Sequence, residues 1–258
     1  MSKNSFVRKV NREQIPQFHI MGVAVAAIDM EWLLDFTKEH VRDLSGDYLC
    51  VSNVHTTVTV YEDKCYRDIQ NGGIMAIPDG GPLSALGRKR GFPHMQRTTG
   101  PSYMKAVLEM SARYGWRHYF YGSTEETIER LKEVLQTQYP GVEVAGMYSP
   151  PFRALNAKED VQMTEQINQT SPDFVWVGLG APKQEIWMAE HQGRIKGLMV
   201  GVGAAFDYLA GNIKRAPEWM QKCNLEWLYR MLQDPKRRFK RYLVTNSKFI
   251  WHAVIRGR

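Results

Sequence analysis

Two short apolar runs that each break into paired glycines constrain this chain more than any other feature. Phe174-Val-Trp-Val-Gly-Leu-Gly-Ala-Pro-Lys-Gln-Glu185 passes from a buried-strand composition into two glycines and then a proline placed to open a helix. Further on, Leu198-Met-Val-Gly-Val-Gly-Ala-Ala-Phe-Asp207 repeats the pattern. Glycine belongs where a backbone bends sharply or approaches something closely. Two neighbouring strand ends of this kind predict a ligand crevice.

The remainder of the chain alternates in the same sense. Phe18 to Ile28 is β-compatible, and Asp29 stands where an N-cap would open the apolar-periodic helix that runs through Phe36. Tyr48 to Asn53 reads as a strand with His55 to Ile69 as the helix behind it, and Ile74 to Ile77 as a strand stopped by Pro78-Asp79-Gly80-Gly81-Pro82. A basic loop from Arg88 to Arg97 leads to an amphipathic helix through Met104, Val107, Leu108 and Met110. His118 to Tyr121 and Val142 to Met147 are further strands, each followed by a helix, with Thr124 or Ser123 capping the first of these. Alternation at this spacing predicts an α/β fold, a Rossmann-like, mostly parallel sheet with helices on both faces. Ligands of such sheets lie outside the carboxyl ends of the strands. The predicted rim is therefore Ser52-Asn53, Asp79-Gly80, Gly122-Ser123, Gly178 to Gln184 and Gly201 to Asp207.

Charge divides the chain where periodicity does not. The net charge is +7 over 258 residues, yet residues 211–258 hold 12 Lys/Arg against 3 Asp/Glu, leaving 22 against 24 in residues 1–210. The basic excess is thus confined to the end of the chain, where Trp219, Trp227, Tyr229, Arg230 and Lys236-Arg-Arg-Phe-Lys-Arg-Tyr-Leu243 mix aromatic and basic groups. We expect a catalytic domain over 1–210 and a basic, aromatic, helical appendage over 211–258 that associates with an anionic membrane surface. A C-terminal helix packed back on the core with a solvated basic face is the alternative. No run approaches the roughly 18 apolar residues of a bilayer span, and the N-terminus lacks a signal-peptide core, which predicts a cytoplasmic protein. Three cysteines, Cys50, Cys65 and Cys223, fit no paired metal spacing and suit a reducing compartment.

Rim chemistry centres on Asp79. A carboxylate at a strand end beside glycines can meet a substrate hydroxyl and take its proton; a turn aspartate bonding its own backbone is the competing reading. Asn53 either caps the following helix or faces the crevice. Gln184 can orient a hydroxyl or amide, Lys183 can meet a phosphate, and Arg97 an anion, although each also suits an exposed surface. Gly201-Val-Gly-Ala-Ala-Phe imitates a dinucleotide fingerprint but carries Phe206 where the third glycine belongs. There is no Walker motif, no metal-binding His-Glu-x-x-His and no Asp-x-Asp pair, so neither a metal nor a cofactor is expected. A bound diphosphate would be met by backbone N–H groups, helix N-termini and Arg or Lys.

Pro78-Asp79-Gly80, Val177-Gly-Leu-Gly-Ala-Pro-Lys-Gln-Glu185, Gly201-Val-Gly-Ala-Ala-Phe-Asp207, Arg215-Ala-Pro and Leu225-Glu-Trp-Leu-Tyr-Arg230 together resemble the WecG/TagA/CpsF glycosyltransferases, glycosyltransferase family 26, over roughly Phe18 to Phe249. The resemblance implies transfer of a sugar from a UDP-sugar donor to an undecaprenyl-diphosphate-linked saccharide at the inner membrane face, with inversion and without a metal, in teichoic acid, enterobacterial common antigen or exopolysaccharide assembly. It implies Asp79 as base with Asn53, Arg97 and Gln184 in support. Ser52, Gly80, Gly122, Ser123, Gly178, Gly180, Lys183, Gly203, Phe206 and Asp207 fall on the implied substrate rim. Tyr229, Arg230, Arg237 and Lys240 fall on the appendage that would neutralise departing UDP. The family commonly has Thr two residues before that Asn, where this chain has Val51 followed by Ser52, so the donor sugar stays open. A nicotinamide-dependent oxidoreductase and a non-catalytic membrane or nucleic-acid module are the rival classes. No nucleic-acid partner is expected, and self-association stays open.

Overall fold

The computed structural model describes residues 6–257, except the side chains of Lys222, Arg237, Arg238 and Arg241. Its centre is an eight-stranded sheet. In chain order the strands are β1 (Gln17–Ile20), β2 (Val23–Ala26), β3 (Tyr48–Ser52), β4 (Met75–Pro78), β5 (Arg117–Gly122), β6 (Glu143–Tyr148), β7 (Phe174–Gly178) and β8 (Leu198–Gly201). Their spatial order is β1-β2-β4-β3-β8-β7-β5-β6, with β1 antiparallel to β2 and every other pairing parallel. The helices α1 (Met30–His40), α2 (Val54–Glu62), α3 (Lys64–Gly72), α4 (Gly81–Lys89), α5 (Gly100–Tyr114), α6 (Glu125–Gln138), α7 (Ala157–Gln169) and α8 (Lys183–Glu190) cover both faces. Two buried apolar clusters result. One contains Leu33, Tyr103, Val107, Phe120, Trp176 and Phe206; the other Ile20, Tyr48, Tyr66, Leu83, Val175 and Met199. The predicted doubly covered parallel sheet is what forms, because β3, β4 and β8 are buried along their whole length and can be shielded only from both sides.

Local chemistry sets the helix starts. Asp29 accepts from the Trp32 amide at 2.9 Å and Thr124 from the Thr127 amide at 3.2 Å, as predicted. Three segments differ from expectation. The first apolar run is a hairpin rather than one strand, since Met21 and Gly22 both take positive φ, 49° and 90°, and turn the chain back in two residues. The helix predicted over 55–69 is two helices, because Asp63 ends α2 and its carboxylate accepts from the Tyr66 amide to start α3. The basic loop predicted from Arg88 begins at Arg90 instead, because α4 runs to Lys89, with proline in its first turn.

The C-terminal segment continues with α9 (Ala205–Leu209), α10 (Glu218–Lys222), α11 (Glu226–Gln233) and α12 (Pro235–Phe249), the last extended by a π-helical turn over Ile250–Ile255. It packs back on the core, the alternative considered for it, and leaves an exposed apolar face. Phe249 and Ala253 are buried in the core and Lys248 pairs with Glu62 of α2, while Trp219, Leu232, Phe239, Leu243, Trp251 and Ile255 remain exposed. Among the described residues no helix is long and apolar enough to cross a membrane.

Candidate active site

The order of strands reverses at β3, which lies between β4 and β8, and a crevice opens beyond the carboxyl ends there. It is a cleft of about 1410 Å³, walled by the strand ends on one side and by α11 and α12 on the other. Pockets for single small ligands run to roughly 1,000 Å³, so this one has room for two substrates.

The β7 and β8 side is built from backbone. Gln184, in the first turn of α8, is 4% exposed, and its Oε1 accepts from the Gly180 amide at 3.1 Å and the Gly203 amide at 3.0 Å. One side chain therefore ties the two glycine loops together. Its Nε2 donates to Glu185 Oε1 at 2.9 Å, and burial pushes the Glu185 carboxyl above its ordinary pKa. Gly122 lies where β5 meets β7: its φ is 125°, and a Cβ there would sit 2.7 Å from the Gly178 carbonyl carbon. Phe206 is fully buried against Phe120 and packs so close to Gly178 that a Cβ on that glycine would meet its ring at 2.8 Å. Phe206 is thus a core residue supporting the rim.

The β4 side is built from charge. Asp79 follows β4, and its amide bonds the Ser52 carbonyl at 2.8 Å, prolonging the sheet by one residue. Its carboxylate meets Arg97 rather than its own backbone: Nη2 donates to Oδ1 at 3.3 Å and Nε to the Asp79 carbonyl at 2.8 Å. The same Nη2 donates to Glu226 Oε2 at 2.6 Å, and the Arg215 Nε lies 3.5 Å from Glu226 Oε1. Burial raises the Asp79 carboxyl to about 6; Arg97 opposes that rise and Glu226 adds to it. Burial would lower the Arg97 pKa, but Asp79 and Glu226 outweigh it and hold the guanidinium above its ordinary value. The Asp79 side chain is 21% exposed, so a substrate can reach it.

The expected site residues divide by position. Asn53, Asp79, Gly80, Arg97, Ser123, Gly178, Gly180, Lys183, Gln184, Gly203, Asp207 and Arg230 line the cleft together. Asn53 does so while capping α2, its Oδ1 accepting from His55 and Thr56 amides at 3.0 and 3.2 Å. Asp207 accepts from Thr127 Oγ1 at 3.2 Å, and Arg230 stacks its guanidinium 5.8 Å from the Tyr208 ring centre. Ser52, Gly122 and Phe206 stand behind the lining, and Tyr229 and Lys240 stand off it on α11 and α12. The Arg237 side chain is outside the described residues. Glu226, Arg215 and Tyr208 had been assigned no role. The available signal was that Glu226 is one of only three acids in the basic segment.

A crevice at the switch point of a parallel sheet, with a reachable carboxylate and flanking guanidiniums, defines an α/β group-transfer enzyme. Residues 18–258 match the glycosyl transferase WecG/TagA/CpsF family. The chain belongs to that family and is a glycosyltransferase, which sets aside the oxidoreductase and non-catalytic readings. It is 29% identical over 212 residues to an N-acetylglucosaminyldiphosphoundecaprenol N-acetyl-beta-D-mannosaminyltransferase of Bacillus subtilis (strain 168), covering 81% of this chain and 80% of that one. A protein of the same name from Staphylococcus aureus (strain MW2) is 27% identical over 229 residues, 88% of each chain.

Proposed function

We propose that the protein transfers N-acetylmannosamine from its UDP-sugar to N-acetylglucosamine linked to undecaprenyl diphosphate, in teichoic acid or related surface-polysaccharide synthesis. The donor and acceptor follow the names of the relatives, and the position of Asp79 on the cleft wall supports the chemistry. Asp79 accepts the proton of the acceptor hydroxyl as its oxygen attacks the anomeric carbon. The bond from that carbon to the β-phosphate oxygen breaks, UDP leaves with the electron pair from the opposite face, and the anomeric centre inverts. The observation that carries this reading is Asp79 itself, a reachable carboxylate at the strand-end rim whose pKa of about 6 leaves it ionised, yet basic, near neutrality. Arg230, on the cleft wall, offsets the charge developing on UDP, without a metal. Gln184 acts by holding the two loops in register.

Asp79→Asn is expected to lower turnover roughly 10²–10⁴-fold, measured as UDP release with a lipid-linked acceptor, while UDP still raises the melting temperature as in wild type. Turnover within threefold of wild type would remove Asp79 from this role.

We further propose that residues 1–210 form the catalytic body and 211–258 an appendage that seats it on the cytoplasmic membrane face. The exposed Trp219, Phe239, Leu243, Trp251 and Ile255 among Lys and Arg support this. Paired Trp251→Ser and Ile255→Ser substitutions should reduce co-sedimentation with vesicles containing anionic lipid. Unchanged binding would locate the contact elsewhere.

A further inference from the structure

The Arg97 guanidinium faces two carboxylates and divides itself unequally between them. Its Nη2 is 2.6 Å from Glu226 and 3.3 Å from Asp79. Glu226 opens α11, is 5% exposed, and is gripped on its other oxygen by Arg215. Arg215 is in turn fixed by donating through Nη2 to the Thr99 and Ser102 hydroxyls at 3.1 and 2.9 Å, at the start of α5. Glu226 is thus held from both sides by guanidiniums that belong to different parts of the chain. A carboxylate held by a guanidinium of its own is a poor proton acceptor, since the positive charge favours its ionised form. The shorter, charge-assisted contact is the one that claims the cation.

We propose that Glu226 is a positioning residue for the transfer reaction: it takes up Arg97 and so leaves Asp79 free to accept the proton of the acceptor hydroxyl. This rests on the reading of Asp79 as the base and deepens it. It also gives the C-terminal segment a part in the chemistry, because Asp79 is a competent base only when α11 is docked and Glu226 seated. The other charged and titratable groups around Asp79 are Arg215, Arg230 and Tyr208, with His55 and Lys89 lining the cleft from α2 and α4. Arg97 already bonds Asp79 at 3.3 Å, so loss of the Glu226 carboxylate hands it to Asp79.

The test is the pH profile of kcat/KM, read as UDP release with a lipid-linked acceptor, for wild type, Glu226→Gln and Glu226→Asp. Glu226→Gln should move the acid limb to lower pH by about one unit and lower the plateau about tenfold, as a weaker base does. Glu226→Asp, whose shorter side chain loosens the contact with Arg97, should move the limb the same way by less. UDP-dependent thermal protection identifies the variants that remain folded, and if Glu226→Gln lacks it, Glu226→Asp carries the test. An acid limb that stays in place in a variant protected by UDP overturns the proposal, whatever happens to the plateau. Asp79→Asn run in parallel separates the two readings. If it is inactive while the Glu226 limb is unmoved, only this inference fails; if it is active, the assignment of the base fails.

Discussion

The two sides of the cleft are assembled by opposite means. On the β7 and β8 side the structure is local: Gln184 bonds Gly180 and Gly203, 4 and 19 positions away, through one neutral amide. On the β4 side it is long-range: Arg97 joins Asp79, 18 positions away, to Glu226, 129 positions away, through charges. A local device forms as soon as its strands pair and fixes backbone shape. A long-range charged device depends on the last helices having docked, and its properties change with pH. The rim therefore combines a fixed backbone cradle with a tunable acid–base group.

That contrast can be broken first at Gln184, where the largest stability effect is expected. Gln184→Ala removes the acceptor shared by two amides and the donor to a fully buried Glu185. Leaving buried polar groups unpaired costs roughly 1–3 kcal/mol each, so the loss should total about 3 kcal/mol. For a chain of this size that is a fall in melting temperature of roughly 6–12 °C. Calorimetry at pH 7 checks the value, and UDP protection should weaken in step. A change below about 0.5 kcal/mol would mean that the two loops are held by their own backbone geometry and that the local side of the comparison is misdescribed.

The same contrast explains what was legible in the sequence. Strand ends, glycine turns and the caps at Asp29, Asn53 and Thr124 are set by neighbours a few residues away, and they were readable. The hairpin at β1 and β2 was not, because its turn is Met21-Gly22 rather than an Asn-Gly or Asp-Gly pair, and β2 is buried at all four positions and shows no alternation. The break at Asp63 was hidden because a helix continues on either side of it. At the site, Asp79, Arg97 and Gln184 could be placed on the rim, where they line the cleft, but their contacts with one another and with distant residues could not. Gln184, read as able to orient a hydroxyl or amide, lines the cleft and also clasps two loops, while Phe206, read as rim, is core. Glu226 lay inside a recognised motif with no role, since nothing in Leu225-Glu-Trp-Leu-Tyr-Arg230 reveals that a residue 129 positions earlier is its partner.

A smaller effect should sharpen the charged side. The Asp79 carboxyl is raised in the folded protein from 3.8 to about 6. A carboxyl raised on folding holds its proton longer in the native state, so its contribution is fully present below pH about 4 and is lost as pH rises through about 6. At pH 7 the ionised Asp79 is therefore a net burden on stability. Two pKa units correspond to about 3 kcal/mol, and since 21% of the side chain stays in water, about 1–2 kcal/mol is the realistic size. Asp79→Asn removes the charge while leaving Arg97 its shorter contact with Glu226. The variant should melt above wild type at pH 7 by roughly 2–8 °C, and the gap should close between pH 6 and 4. Wild type melting higher at pH 7 would show that the pairing of Asp79 with Arg97 outweighs its burial, the opposite of what the division of Arg97 between two carboxylates requires.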